Sequence, residues 1–164
     1  DALALAEHFA DEDKVVVVLG DNIIENNIRR AAAAFEKQEK GARILLKQVP
    51  DPKRFGVVTL EDPSKPPGAD NRITAISEKP ETPPSNLAVI GIYMYDARVF
   101  EIIRGLTPSA RNEFEITDVN SAYLADGTLE CDVLEGWWTD AGTFESLHRV
   151  ANRIAETGAN KTGG

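Results

Sequence analysis

The chain reads as an α/β protein with a mixed, mostly parallel sheet, and three observations predict this. Val15 to Leu19 is an unbroken apolar, β-branched run, the pattern of a strand covered on both faces. A helix-length stretch and a second strand-like run follow it, which is the order of a βαβ unit with a right-handed crossover. The third observation is size. A chain of 164 residues, 42% of them hydrophobic, buries roughly two thirds of its unfolded surface, so it forms a core without disulfides or metal staples.

Each element is justified in turn. Leu3, Leu5, Ala6 and Phe9 give Asp1 to Phe9 a mixed apolar spacing that suits a helix. The strand Val15 to Leu19 stops at the turn signal Gly20-Asp21-Asn22. Glu25 to Lys40 is expected to be helical, with Ile28, Ala31, Ala32 and Phe35 on one face and Gly41 as terminator. Ala42 to Val49 is the next strand. Gly56 to Leu60 and Arg72 to Ser77 form a hairpin, and its Pro-rich connection, Glu61 to Asn71, is expected to be exposed and mobile. Ala88 to Tyr95 is a strong strand. Ala97 to Leu106 is helical, as is Ile116 to Ala125, which ends at Gly127. Leu129 to Leu134 returns as a strand, and Thr143 to Glu156 closes the fold with Phe144, Leu147, Val150, Ala151 and Ile154 on one stripe. Residues 1–156 read as one domain portion. Thr157 to Gly164 lacks an apolar anchor and is expected to be a flexible tail.

Several function classes are excluded by composition. The longest apolar run falls far short of the ~20 residues of a membrane span, and no signal-peptide pattern opens the chain. A cytoplasmic protein is expected. The single Cys131 agrees, because one thiol cannot form an internal disulfide, and its strand-like setting favours packing over reactivity. With only Cys131, His8 and His148 available, zinc is not expected. A net charge of -9 argues against nucleic acid as a broad electrostatic partner. It leaves phosphorylated small molecules open, since those need only a few placed cations and a metal.

Ligands of open α/β sheets bind beyond the carboxyl ends of strands, and those ends carry Asp21, Glu78 with Lys79, and Asp140. Asp21 is either a turn or cap residue or a carboxylate presented at the sheet rim. Asp140 either caps the helix that begins near Thr143 or joins Asp21 in holding a divalent cation, which is usually bound by one or two carboxylates plus phosphate oxygens. Neighbouring strand residues face opposite ways, so only one of Trp137 and Trp138 can face the core. Lys79 and Arg111, the latter in the polar connection Thr107 to Glu113, are ordinary solvated cations when considered alone.

Six segments occur in an order that resembles the sugar-1-phosphate nucleotidylyltransferases, and most nearly the short glucose-1-phosphate thymidylyltransferases. They are Leu19-Gly20-Asp21-Asn22, Arg54-Phe55-Gly56-Val57, Glu78-Lys79-Pro80, Gly91 to Asp96, Glu113 to Asn120, and Trp138 to Thr143. The resemblance runs from about Asp1 to Ala155. It implies a Rossmann-like nucleotidyltransferase sheet and an in-line attack by a sugar-1-phosphate oxygen on the α-phosphate of a nucleoside triphosphate, with release of pyrophosphate. By resemblance, Asp21 and Asp140 match the two Mg²⁺-binding aspartates. Gly56 matches a glycine whose backbone approaches the sugar, and Glu78 matches the carboxylate that accepts sugar hydroxyls. Lys79 and Arg111 match cations on the sugar phosphate, and Tyr93 lies in the strand that walls the sugar pocket, with Asn86 and Val89 nearby.

The family also carries a Gly-x-Gly-Thr-Arg phosphate loop and a downstream Lys, and neither motif occurs in this chain. The expectation is a sheet truncated at its amino-terminal strands. Loss of such cations costs ~10³-fold or more in rate elsewhere, so this chain alone is expected to be inactive. Three readings follow: part of a thymidylyltransferase, a sugar-phosphate-binding module without turnover, or a structural piece that supplies a dimer half. The Val15 to Leu19 strand, left as a sheet edge, is expected to pair with another chain, giving a homodimer.

Overall fold

The computed structural model describes residues 2–68, 70–108, 114–159 and 161. A 3-10 turn, Leu3–Ala6, leads into the short helix α1 (Glu7–Ala10). Strands β1 (Val15–Val18) and β2 (Asn22–Ile24) precede helix α2 (Arg29–Lys37) and strand β3 (Ala42–Gln48). The hairpin of β4 (Gly56–Leu60) and β5 (Ile73–Glu78) leads to the long strand β6 (Leu87–Tyr95). Helices α3 (Arg98–Gly105) and α4 (Ile116–Ala125) follow. Strand β7 (Leu129–Val133), strand β8 (Trp138–Asp140) and helix α5 (Phe144–Thr157) complete the order. No helix among the described residues is long and apolar enough to cross a membrane.

The mixed α/β class is the one expected. The main sheet runs β5-β4-β6-β3-β7, with β1 also beside β6. Its strand directions correct the expectation of a mostly parallel sheet. Of the described strand pairings in the main sheet only β3 with β7 is parallel, while β1, β3 and β4 each lie antiparallel to β6, and β4 antiparallel to β5. The β1-α2-β3 crossover does make its two strands parallel to each other. It does not make them neighbours, because β6 inserts between them.

β6 is buried along nearly its whole length because both of its faces are covered. Val89, Tyr93 and Tyr95 join the cluster that contains Val99, Phe100, Val119 and Tyr123 from α3 and α4. Ile90, Ile92 and Met94 join the cluster of Ala31 and Phe35 from α2. Alternation along one strand therefore feeds two cores. Tyr93, Tyr95 and Tyr123 stack at centroid separations of 6.0 and 5.7 Å. The stack ends in polar contacts: Tyr123 donates to Asp96 at 2.7 Å and Tyr95 to Asn120 at 2.7 Å. Cys131 packs against the first cluster, and burial, followed by the charges of Asp132 and Glu130, pushes its thiol up to about 11. A neutral thiol in that setting is a poor nucleophile at neutral pH.

Two local expectations, the bounds of α2 and the apolar stripe of α5, are revised, and the hairpin connection and the end of the chain show contacts of their own. The helix expected from Glu25 to Lys40 is shorter at both ends. At its start, Asn22 to Ile24 form a strand with β8, and Asn27 accepts from the Arg29 amide. At its end, Gln38 is already extended, and the ammonium of Lys14 takes the carbonyls of Phe35, Glu36 and Gln38. A cation at that position also suits the helix dipole. Gly41 is thus no helix terminator; it sits where the chain passes close to Thr128. The hairpin connection is organised from within: Asn71, 3% exposed, donates to the carbonyls of Asp62, Lys65 and Pro66 and accepts from the Asp62 amide. On α5 only Val150 of the five-residue stripe is buried, while Phe144 is 94% exposed. That helix begins with a reciprocal Thr143 and Ser146 capping box. Beyond it, the described residue Lys161 pairs with Glu25, a polar contact that apolar patterning does not register.

Candidate functional site

The site forms where the sheet rim, the β2/β8 pair and the start of α4 meet. β1 ends at Val18, and Leu19, Gly20 and Asp21 form the turn that leads into β2. β8 runs antiparallel to β2 with Asn22 opposite Asp140, and the Ala141 amide donates to the Asp21 carbonyl at 2.7 Å. Two acidic residues far apart in sequence are thereby brought to one corner. A Cβ added at Gly142 would lie 2.8 Å from Asp140 Oδ1 and 3.4 Å from Asp21 Oδ2, so both carboxylates border the same small space. The Gly142 amide donates to Asp140 Oδ1 at 2.7 Å. The open reading of Asp140 as a cap is answered locally: Thr143, not Asp140, caps α5. Among the described residues no group of three or more His, Cys, Asp or Glu side chains forms. A carboxylate pair still fits a divalent cation of the Mg²⁺ type, which completes its oxygen shell with water and phosphate.

The other end of the cleft is built by the hairpin. Gly56, at the start of β4, stands opposite Glu78, at the end of β5, and beside Val89 of β6. The Thr117 hydroxyl, on the first turn of α4, donates to Glu78 Oε2 at 2.6 Å. A Cβ at Gly56 would come within 3.0 Å of that hydroxyl oxygen. Tyr93 lines the floor. Burial, then the charges of Glu78 and Asp21, hold its phenol well above the ordinary range, so it stays neutral. Asp21, Gly56, Glu78, Val89, Tyr93 and Asp140 therefore line one cleft. Lys79 stands beside it, in a left-handed backbone conformation with φ 42°, its ammonium 3.6 Å from Glu78 Oε1. Asn86 falls outside the lining, and Arg111 lies outside the described residues.

Leu19, Asn22, Arg54, Phe55, Gly91, Ile116, Thr117 and Trp138 also line the cleft and were not singled out as site residues. The tryptophans divide as strand geometry requires. Trp137 is buried and its indole donates to Thr157, whereas Trp138 borders the cleft, edge-on to Phe55 at 5.3 Å. A usable signal existed for most of the others, since they sit inside or beside the ordered motifs.

The fold that gathers these strand ends into one cleft matches solved nucleotidyltransferase structures. A Bacillus anthracis protein assigned as a glucose-1-phosphate thymidylyltransferase and solved with sucrose superposes with a TM-score of 0.83 at 45% identity, covering 99% of this chain and 62% of that one. A UDP-glucose pyrophosphorylase solved with UDP-glucose gives 0.82 at 23% identity over 94% of this chain and 61% of its own, a likeness of fold alone. The chain belongs to the nucleotidyl transferase family, whose pattern matches residues 1–157. Among its relatives, the glucose-1-phosphate thymidylyltransferase of Neisseria meningitidis serogroup A is 42% identical over 93% of this chain and 52% of its own length. That of Mycobacterium tuberculosis is 41% identical over 93% and 51%. The chain spans about half the length of the curated relatives it matches.

Proposed function

We propose that this chain is the sugar-phosphate and metal-binding portion of a Mg²⁺-dependent enzyme that transfers a thymidylyl group from dTTP to glucose 1-phosphate and releases pyrophosphate. One observation carries the reading: the Asp21 and Asp140 pair and the Glu78 and Thr117 pair face the same cleft. Glu78 accepts sugar hydroxyls, and Thr117 keeps its carboxylate in place. Gly56 admits the sugar ring against bare backbone, and Tyr93 supplies a neutral wall. Lys79 and Arg111 balance the charge of the sugar phosphate. Asp21 and Asp140 would hold the Mg²⁺, which when bound offsets the repulsion between two phosphorylated anions. A cytoplasmic setting suits the single thiol and a nucleoside triphosphate substrate.

Because the Gly-x-Gly-Thr-Arg loop does not occur in these 164 residues, the chain by itself binds without turning over. Calorimetric titration with glucose 1-phosphate in Mg²⁺ is expected to give saturable heat in the millimolar range or below. Absence of heat at millimolar ligand would overturn the binding reading. Pyrophosphate released by this chain from dTTP and glucose 1-phosphate would overturn the inactivity.

The free edge of β1 supports a second proposal. Among the described residues β1 pairs with β6 alone, which leaves its other edge open, and Val16 and Val18, 50 and 53% exposed, leave one of its faces uncovered. An apolar edge of this kind pairs with another chain, so the chain forms a homodimer through β1. Light scattering at micromolar concentration is expected to report twice the 17.9 kDa chain mass, and a strict monomer would refute the dimer.

A further inference from the structure

We propose that Asn22 is a positioning residue that sets which oxygen of Asp21 faces Asp140. The inference rests on the reading of Asp21 and Asp140 as a cation pair. The half-buried Asn22 amide is held from two sides: Oδ1 accepts from the Gly91 amide of β6 at 2.9 Å and from the Trp138 indole at 2.7 Å. Both partners are obligate donors. The amide therefore cannot turn over, since a flipped NH₂ would meet two N–H groups. With its oxygen committed, Asn22 must present its NH₂ to Asp21, and Nδ2 donates to Asp21 Oδ1 at 2.8 Å.

One oxygen of Asp21 is thus occupied, and the other, Oδ2, is the one that borders Gly142 beside Asp140 Oδ1. The Gly142 amide orients Asp140 in the same way. Each carboxylate is aimed before any cation arrives. Packing makes the arrangement specific to this pair of positions: a Cβ at residue 91 would stand 2.4 Å from Asn22 Nδ2 and 2.9 Å from Leu19 Cδ1, so the amide reaches the β6 backbone only because Gly91 has no side chain. Outer-shell partners of metal ligands contribute about 10 to 100-fold in metal affinity.

The test is Mn²⁺ binding to the full chain, followed through the electron paramagnetic resonance of free Mn²⁺, with no activity assay required. Asp21→Asn and Asp140→Asn are expected to abolish the site. If both bind Mn²⁺ as the parent does, the cation-pair reading itself fails. Asn22→Ala is expected to weaken Mn²⁺ about 10-fold while the metal-free thermal midpoint and circular dichroism stay those of the folded parent. Unaltered Mn²⁺ affinity in folded Asn22→Ala, with both aspartate variants inactive in binding, would overturn the positioning role alone. Should Asn22→Ala fail to fold, Trp138→Phe decides. It keeps the ring against Phe55 and removes one of the two donors that orient the amide. A roughly threefold weaker Mn²⁺ affinity, within the outer-shell range scaled down, supports the proposal, and an unchanged one overturns it.

Discussion

Gly41→Ala is expected to leave little folded protein. Gly41 has φ +102°, and a Cβ there would stand 2.1 Å from the carbonyl oxygen of Thr128. Neither wall of this contact can retreat cheaply. The Thr128 carbonyl accepts the Ala42 amide at 3.0 Å, at the start of the β3/β7 pairing. Gly41 itself exchanges two hydrogen bonds with Asp96, its amide to Oδ2 at 2.6 Å and its carbonyl to the Asp96 amide at 3.0 Å. Asp96 is 9% exposed and takes the Tyr123 hydroxyl on its other oxygen. Any shift therefore travels into a buried carboxylate and the tyrosine stack. Backbone strain costs of order 1–3 kcal/mol, and the displaced hydrogen bonds add about 1–3 kcal/mol for each buried group left unpaired. Against a typical total stability of roughly 5–15 kcal/mol, a loss of about 4 kcal/mol or more is expected in urea unfolding followed by circular dichroism. Gly127→Ala is the comparison: φ is +66°, but nothing lies within 4 Å of the added Cβ, so a loss of only about 1 kcal/mol is expected. Equal effects at the two positions would show that backbone conformation rather than the Thr128 contact governs the site.

The second large effect concerns ligand. Under the proposed function, Glu78→Ala is expected to weaken glucose 1-phosphate binding about 100-fold, because hydrogen bonds to a charged group contribute roughly 1.5–3 kcal/mol each. Glu78→Gln keeps the shape and loses the charge, so it should fall between, near tenfold. The Thr117 hydroxyl that donates to Oε2 at 2.6 Å has an acceptor in the Gln variant and none in the Ala variant. Calorimetry at saturating Mg²⁺ measures both, with the thermal midpoint as the control for folding. Parent-like affinity in Glu78→Ala would remove this carboxylate from the sugar site.

Most of the framework was legible in the amino-acid order because it rests on local period. Val15 to Val18 and Leu87 to Tyr95 announce strands by continuous apolar content, and Ile116 to Ala125 a helix stopped by a glycine with φ +66°. β2 and β8 escaped because three residues carry no period; each exists only as the partner of the other. The same cause moved the start of α2 from Glu25 to Arg29. The site was half legible. Asp21, Gly56, Glu78, Tyr93 and Asp140 stand in ordered motifs, and so do Asn22, Thr117 and Trp138, but the contacts of these last three span 69, 39 and 116 positions in the chain and no motif records them.

What the sequence by itself determined, then, is the α/β class, the order of the main elements, and the family through residues 1–157. These follow from side-chain chemistry repeated along short windows and from motifs kept in order. Tertiary structure alone decided the strand directions, the insertion of β6 between β1 and β3, and the convergence of Asp21 with Asp140. Those depend on which backbone groups find each other across the chain. Hydrogen bonds between distant strands are satisfied by geometry, and neither composition nor period records which partner will be met.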